Sequence, residues 1–271
     1  MTRTLTFTKM HGAGNDFVML DGRDLPHPPD RGTIAALCDR RTGIGGDGLI
    51  IVAPPVSAGA SFRMIYFNAD GGEAEMCGNG ARCTVAFAAE RGLADGPVRF
   101  DTFSGVLDGR VHGPGDIEVS LPGWRDLELD CALPDSPWPH HHRCNTGVPH
   151  LVIPVPDVDA VDLETWGPRL RRAPRFAPAG TNVNWVSPGP QAGQWLLRTY
   201  ERGVEAETLA CGTGASATAV ILCHLEQAAS PVTVLTRGGD RLTVGVDRPA
   251  GRLTLRGPAV ASYMGKVSID D

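Results

Sequence analysis

The chain has 271 residues, 42% hydrophobic and 21% charged, with a formal net charge of −6. That is an ordinary globular composition, long enough for one large or two medium domains, and the acidic balance without a basic stripe argues against a nucleic-acid partner. No apolar run is long enough to cross a membrane and the first residues lack the apolar core of a signal peptide, so a cytoplasmic protein is expected.

Residues 5–10 alternate as a strand, and His11-Gly12-Ala13-Gly14-Asn15-Asp16 turns it into a second strand at 17–21. A Pro-rich loop at 26–30 precedes a short predicted helix at 33–40. Gly43-Ile44-Gly45-Gly46-Asp47-Gly48 has the spacing of a dinucleotide fingerprint. A helix precedes it and a strand, 49–52, follows, which reverses the order that fingerprint needs, and no nucleotide site is read there. A strand at 61–67 leads through Asn68-Ala69-Asp70 into Cys77-Gly78-Asn79-Gly80-Ala81 and then an almost wholly apolar helix at 82–91. Short strands are predicted at 98–103, 105–111 and 117–121. The Pro-rich stretch 133–139 reads as a crossing between lobes. His140-His141-His142 reads as a solvated loop: adjacent side chains point different ways on a regular backbone and no Cys-x-x-Cys accompanies them, so no metal site is expected.

The second half repeats this layout. Thr146-Gly147-Val148-Pro149-His150 precedes a strand at 151–155, a helix is predicted at 163–172, and Gly180-Thr181-Asn182 opens a strand at 183–186. The strand 194–200 then runs through Glu201-Arg202-Gly203 to Cys211-Gly212-Thr213-Gly214-Ala215 and a second apolar helix, 216–227. Strands at 232–236, 241–246, 252–256 and 259–263 complete the chain. The repetition implies an internal duplication. Each apolar helix must be covered on all sides. The expected fold is therefore α+β, with two pseudo-twofold-related lobes, each a curved, mostly antiparallel sheet around a central helix, and an active site in the cleft. The lobes are drawn at 1–121 with 258–271, and 122–257.

The seven cysteines are irregularly spaced, which argues against a disulfide framework. Cys38, Cys83 and Cys223 read as small core residues. Cys77 and Cys211 differ, because each stands where a helix begins, a position that favours negative charge. The glycines beside them leave backbone N–H groups open to an anion such as a carboxylate, which assigns Gly78, Asn79, Gly212 and Thr213 to substrate binding. Two thiols, each beside an anion site, suit removal of an α-proton from one face of an amino acid and return of a proton to the other. The usual cofactor for such chemistry, pyridoxal phosphate, needs a lysine. Lys9 and Lys266 are the only lysines and neither lies in a phosphate-binding context, so no cofactor is expected.

These residues resemble the diaminopimelate epimerase family over nearly the whole chain. The marks are Met10 to Phe17, Phe67 to Asp70 with Met76 to Cys83, Gly180 to Asn184, and Tyr200 to Gly203 with Ala210 to Ala215. The resemblance implies cofactor-independent epimerisation with Cys77 and Cys211 as the two acid/base residues, His150 and Glu201 poising them, and a homodimer. It also implies that Asn15 contacts the reacting end of the substrate, and that Asn68, Asn182 and Arg202, with Glu201, bind its remaining polar groups. Gly48 and Val148 stand where the family often has Gln and Asn, so a related racemase acting on another polar amino acid is a second reading. A dithiol redox protein is a third, disfavoured by the absence of a Cys-x-x-Cys motif.

Overall fold

A computed structural model describes residues 2–74 and 76–270. The first and last residues, included in the predicted N-terminal lobe, lie outside the described residues. The chain divides into two compact units, one ending at Ser120 and resuming at Arg256, the other spanning Leu121–Leu255.

In the first unit β1 (Thr2–Gly12) and β2 (Asn15–Asp21) form a hairpin. Its two-residue turn places both Ala13 and Gly14 at positive φ, 53° and 82°, the geometry that matches the twist of paired strands. Helix α1 (Arg31–Cys38) starts at Asp30, whose carboxylate accepts the Thr33 N–H, and leads to β3 (Gly48–Ala53) and β4 (Phe62–Asn68). Helix α2 (Gly78–Glu90) follows, then β5 (Val98–Thr102), β6 (Gly105–Gly113) and β7 (Asp116–Leu121).

The second unit contains β8 (Arg125–Glu128), β9 (His142–Asn145), β10 (Pro149–Pro154), α3 (Leu163–Arg171), β11 (Asn182–Pro188), β12 (Gln194–Glu201) and β13 (Ala206–Thr208). Helix α4 (Gly212–His224), β14 (Val232–Leu235) and β15 (Arg241–Asp247) complete it. The chain ends with β16 (Arg252–Pro258) and β17 (Val260–Asp270).

One topology appears twice. In the first unit β2 is parallel to β3, β3 antiparallel to β4, and β4 parallel to β5 across α2. In the second, β10 is parallel to β11, β11 antiparallel to β12, and β12 parallel to β14 across α4. Each Cys helix is buried almost all round, so strands must cover it on several sides. Helix α2 packs on β1, β2, β3, β4 and β6, and α4 on β9, β10, β11, β14 and β15. Two of the polar residues inside these helices are satisfied locally: Thr84 donates to the Gly80 carbonyl and Ser216 to the Gly212 carbonyl.

Two expectations need correction. The histidine run is not a solvated loop, since only His140 is exposed. His142 begins β9 and its Nδ1 accepts the Asp130 N–H at 3.1 Å, while His141 Nε2 lies 2.6 Å from the Ser136 hydroxyl. Both rings are buried, and burial pushes both pKa values down. The last strand also runs well past residue 263, because residues up to Asp270 pair along β1 to Thr2. Gly265 and Lys266 hide this continuation in an apolar-pattern reading.

Candidate active site

The first unit assembles Cys77, Asn15 and Asn79. Cys77 is the N-cap of α2 and the hairpin turn brings Asn15 to it; the Cys77 Sγ donates to Asn15 Oδ1 at 3.4 Å. Asn15 is oriented by Asp47, a carboxylate that can only accept, which takes the Asn15 Nδ2 hydrogen at 2.6 Å. Asn79 Nδ2 also donates to Asn15 Oδ1, at 3.3 Å, and Asn79 Oδ1 accepts from Arg82 at 2.9 Å. Arg82 is completely buried and donates further to the carbonyls of Gly78 and Pro258. A directed chain thus runs from a buried cation through two amides to Asp47, and the thiol sits against its middle.

Charged groups hold the far end of that chain. Asp16 pairs with Lys9 at 2.7 Å and with Arg40 at 2.7 Å, and Arg40 also pairs with Asp47 at 2.6 Å. Burial alone would raise the Asp16 pKa, but the Arg40 and Lys9 partners overcome it and hold this carboxyl well below the usual range. The glycine run before Asp47 turns its N–H groups onto the end of α1: Ile44 and Gly45 donate to the Leu37 carbonyl and Gly46 to that of Cys38. Asn68 stands at the exposed end of β4 opposite Gly48. A Cβ at Gly48 would meet the Phe67 carbonyl at 2.4 Å, so glycine is required by the local strand approach.

The second unit assembles His150, Asn182, Arg202 and the Cys211 loop. His150 and Asn182 are partners in the β10–β11 register, and Asn182 Oδ1 accepts the backbone N–H of Arg202 at 2.7 Å. Glu201 ends β12 and accepts the Thr208 hydroxyl at 2.9 Å. Burial, aided by the Arg202 charge, pushes the His150 pKa down to about 3. Cys211 caps α4 with its own side chain: its Sγ accepts the Gly214 N–H at 3.4 Å and lies 3.5 Å from the Thr213 hydroxyl. The Thr213 carbonyl accepts the Thr146 hydroxyl at 2.8 Å, tying the loop to the segment before β10. A cavity of about 190 Å³ in this unit is bordered by His150, Asn145, Thr181 and Arg175.

In both loops the first helical N–H groups, at Gly78 and Asn79 and at Gly212 and Thr213, have no intrahelical acceptor, as in any helix start. The remaining cysteines are of another kind. Cys38, Cys83, Cys131, Cys144 and Cys223 are buried, and burial pushes every one of these thiols up, Cys38 to about 11 and Cys83 and Cys144 to about 12. Asp47, Arg82, Asn184 and Thr199 are site residues that the motif reading passes over. Arg82, a charge within an apolar helix, was the most visible signal.

The architecture is that of known amino-acid epimerases and their structural kin. A hydroxyproline epimerase from Agrobacterium vitis superimposes with a TM-score of 0.75 over 99% of this chain and 94% of its own, at 17% identity. A phenazine biosynthesis protein of the PhzF family from Bacillus anthracis gives 0.74 over 98% and 99%, at 16% identity. At such identities the likeness defines the fold alone.

Sequence goes further. The diaminopimelate epimerase family model matches residues 7–121 and 143–269. The diaminopimelate epimerase of Aquifex aeolicus is 40% identical over 275 residues, 97% of this chain and 98% of that one. That of Gemmatimonas aurantiaca is 41% identical, covering 97% and 99%. The chain belongs to the diaminopimelate epimerase family.

Proposed function

We propose that this chain interconverts LL- and meso-diaminopimelate by passing the α-proton between two thiols, Cys77 and Cys211, without a cofactor. One sulfur, as thiolate, takes the proton from the α-carbon; the other, as thiol, delivers a proton to the opposite face, and the roles exchange in the reverse direction. A thiol of free pKa about 8.5 is far more acidic than an amino-acid α-C–H, so the carbanion needs stabilisation. The backbone N–H groups of Gly78, Asn79, Gly212 and Thr213 supply it by holding the α-carboxylate, where charge develops.

Asn15 contacts the reacting end, and His150 and Glu201 poise the thiols. Asn68, Asn182 and Arg202 take the distal amino-carboxylate, Arg202 through its two-pronged guanidinium. The substrate is a small amino acid, and the enzyme acts as a cytoplasmic homodimer supplying lysine and peptidoglycan precursors.

The observation that carries this reading is the family match over both spans, each of which holds one of the two helix-capping cysteines. Deuterium wash-in from heavy water tests it. Exchange at the α-carbon of diaminopimelate is expected to exceed that of a panel of L-amino acids by orders of magnitude. Fast exchange on another polar amino acid, with none on diaminopimelate, would instead establish the second reading that Gly48 and Val148 favour.

A further inference from the structure

Asn184 lies two residues beyond Asn182 on β11 and is completely buried. Its amide bonds in three directions. Nδ2 donates to the Leu151 carbonyl at 2.9 Å and faces His150 Nδ1 at 3.1 Å, while Oδ1 accepts the Thr199 hydroxyl at 2.9 Å. A backbone carbonyl can only accept, so the Leu151 bond fixes which end of the amide is nitrogen. That settles the ring as well. A histidine nitrogen that faces an N–H₂ group must offer its lone pair, so Nδ1 is unprotonated and the proton of the neutral ring sits on Nε2. Nε2 is buried and has no hydrogen-bond partner among the described residues.

The same amide reaches the Cys211 loop. A Cβ on Gly214 would lie 2.4 Å from Asn184 Oδ1 and 3.3 Å from the Cys211 Sγ, and the Gly214 N–H is the one that caps the sulfur. Asn184 therefore touches both the ring and the turn that carries the thiol.

We propose that Asn184 is a positioning residue that locks His150 as the Nε2–H tautomer, so that the imidazole acts as a neutral hydrogen-bond donor and does not accept a proton. This rests on the reading of His150 as part of the two-thiol reaction. Protonating Nδ1 would set two donors against each other, and burial and the nearby Arg202 charge oppose a cationic ring in the same sense. A buried N–H without a partner is costly in the resting protein and becomes useful when a thiolate or carbanion forms beside it.

The test is long-range proton–nitrogen correlation NMR on the full chain labelled with ¹⁵N-histidine, with His150 assigned from a His150→Gln spectrum. The expected result is an unprotonated Nδ1 and a protonated Nε2 that hold from pH 8 to pH 5. A proton on Nδ1, or a ring that titrates within that range, overturns the proposal without any variant having to fold. In Asn184→Asp the carboxylate accepts where the amide donated, so the proton should move to Nδ1. The same variant should lose about 10- to 100-fold in kcat with KM nearly unchanged. A tautomer that moves while kcat stays at the wild-type value also overturns it. The wild-type tautomer is read from the ring alone, so a wild-type enzyme inactive on diaminopimelate would count against the substrate reading and not against this one.

Discussion

The two Cys loops begin their helices with the same pattern, yet the sulfurs are held in opposite senses. Cys77 donates to the Asn15 amide oxygen and does not cap its helix with its side chain; Cys211 accepts an N–H from its own first turn. The cause lies outside the motif. In the first unit a hairpin turn delivers Asn15, and Asp47 orients it so that oxygen faces the sulfur. In the second, Asn184 bonds to His150 and Thr199, and the Cys211 sulfur accepts the Gly214 N–H of the helix start. Duplication places a sulfur at the start of each repeated helix, and unlike neighbours give the two different hydrogen-bond partners.

The largest effect tests whether the loops are two arms of one reaction. Cys77→Ala and Cys211→Ala are each expected to lower epimerisation in both directions by about 10³-fold or more. Cys83→Ala removes a thiol that burial holds protonated and should leave the rate within about a factor of two while costing some stability. Steady-state rates from both substrate isomers check this. A Cys211→Ala enzyme that kept its rate would break the comparison outright.

Next comes Arg82, which distinguishes the first loop. Arg82→Met removes the side-chain donor to the Gly78 and Pro258 carbonyls and the bond that the Asn79 amide oxygen accepts from Arg82. A buried acceptor left unpaired costs about 1–3 kcal/mol, while the Gly78 carbonyl keeps its helical N–H partner, so a loss of about 2 kcal/mol in urea unfolding is expected. A fall in kcat should accompany it, since Asn79 then no longer holds Asn15 against the thiol.

Much of this arrangement was legible in the chain. The doubled Cys-Gly-x-Gly-Ala run, each after a strand and before an apolar helix, located α2 and α4 and the repeated topology. Asn182 and Arg202, which bond to each other, were reached through the resemblance. The partners that orient these side chains were not legible. Asp47 sits in a glycine run whose N–H groups serve a helix end, and Asn184 looks like a polar break in an apolar strand. Their roles depend on which end of an amide faces which neighbour, and that is fixed only when distant strands pair. The buried His141 and His142 were missed for the same reason, since distant segments cover rings that the local sequence leaves polar.

His150 gives a smaller effect, specific to the second unit. Its folded pKa of about 3 lies below the unfolded value of about 6.5, so between these pH values the unfolded chain binds the extra proton. Stability should be unaffected above pH 6.5 and fall as the pH drops, by about 2 kcal/mol at pH 5 from this group alone. His150→Gln should remove that slope, as read from urea midpoints at pH 7.5 and 5. Identical slopes in the two proteins would show that the ring is not held neutral.

The finest comparison uses the two loops directly. Gly80 and Gly214 occupy the same place in the repeat, but an added Cβ would meet different neighbours. At Gly80 the nearest atoms are Ile50 Cδ1 at 2.9 Å and Met64 Cε at 3.2 Å, the ends of flexible apolar side chains. At Gly214 the nearest is Asn184 Oδ1 at 2.4 Å, in a side chain held by bonds at both ends. Overpacking costs about 1–3 kcal/mol, and the first site can yield where the second cannot. Gly214→Ala should therefore be the more destabilising by about 1 kcal/mol, and it should lower kcat because the Asn184 amide and the Cys211 cap must move together. Gly80→Ala should show its deficit mainly in urea unfolding. Equal losses of stability and rate in the two variants would mean that the second loop is no more tightly supported than the first, and that the difference between the sulfurs comes from Asn15 alone.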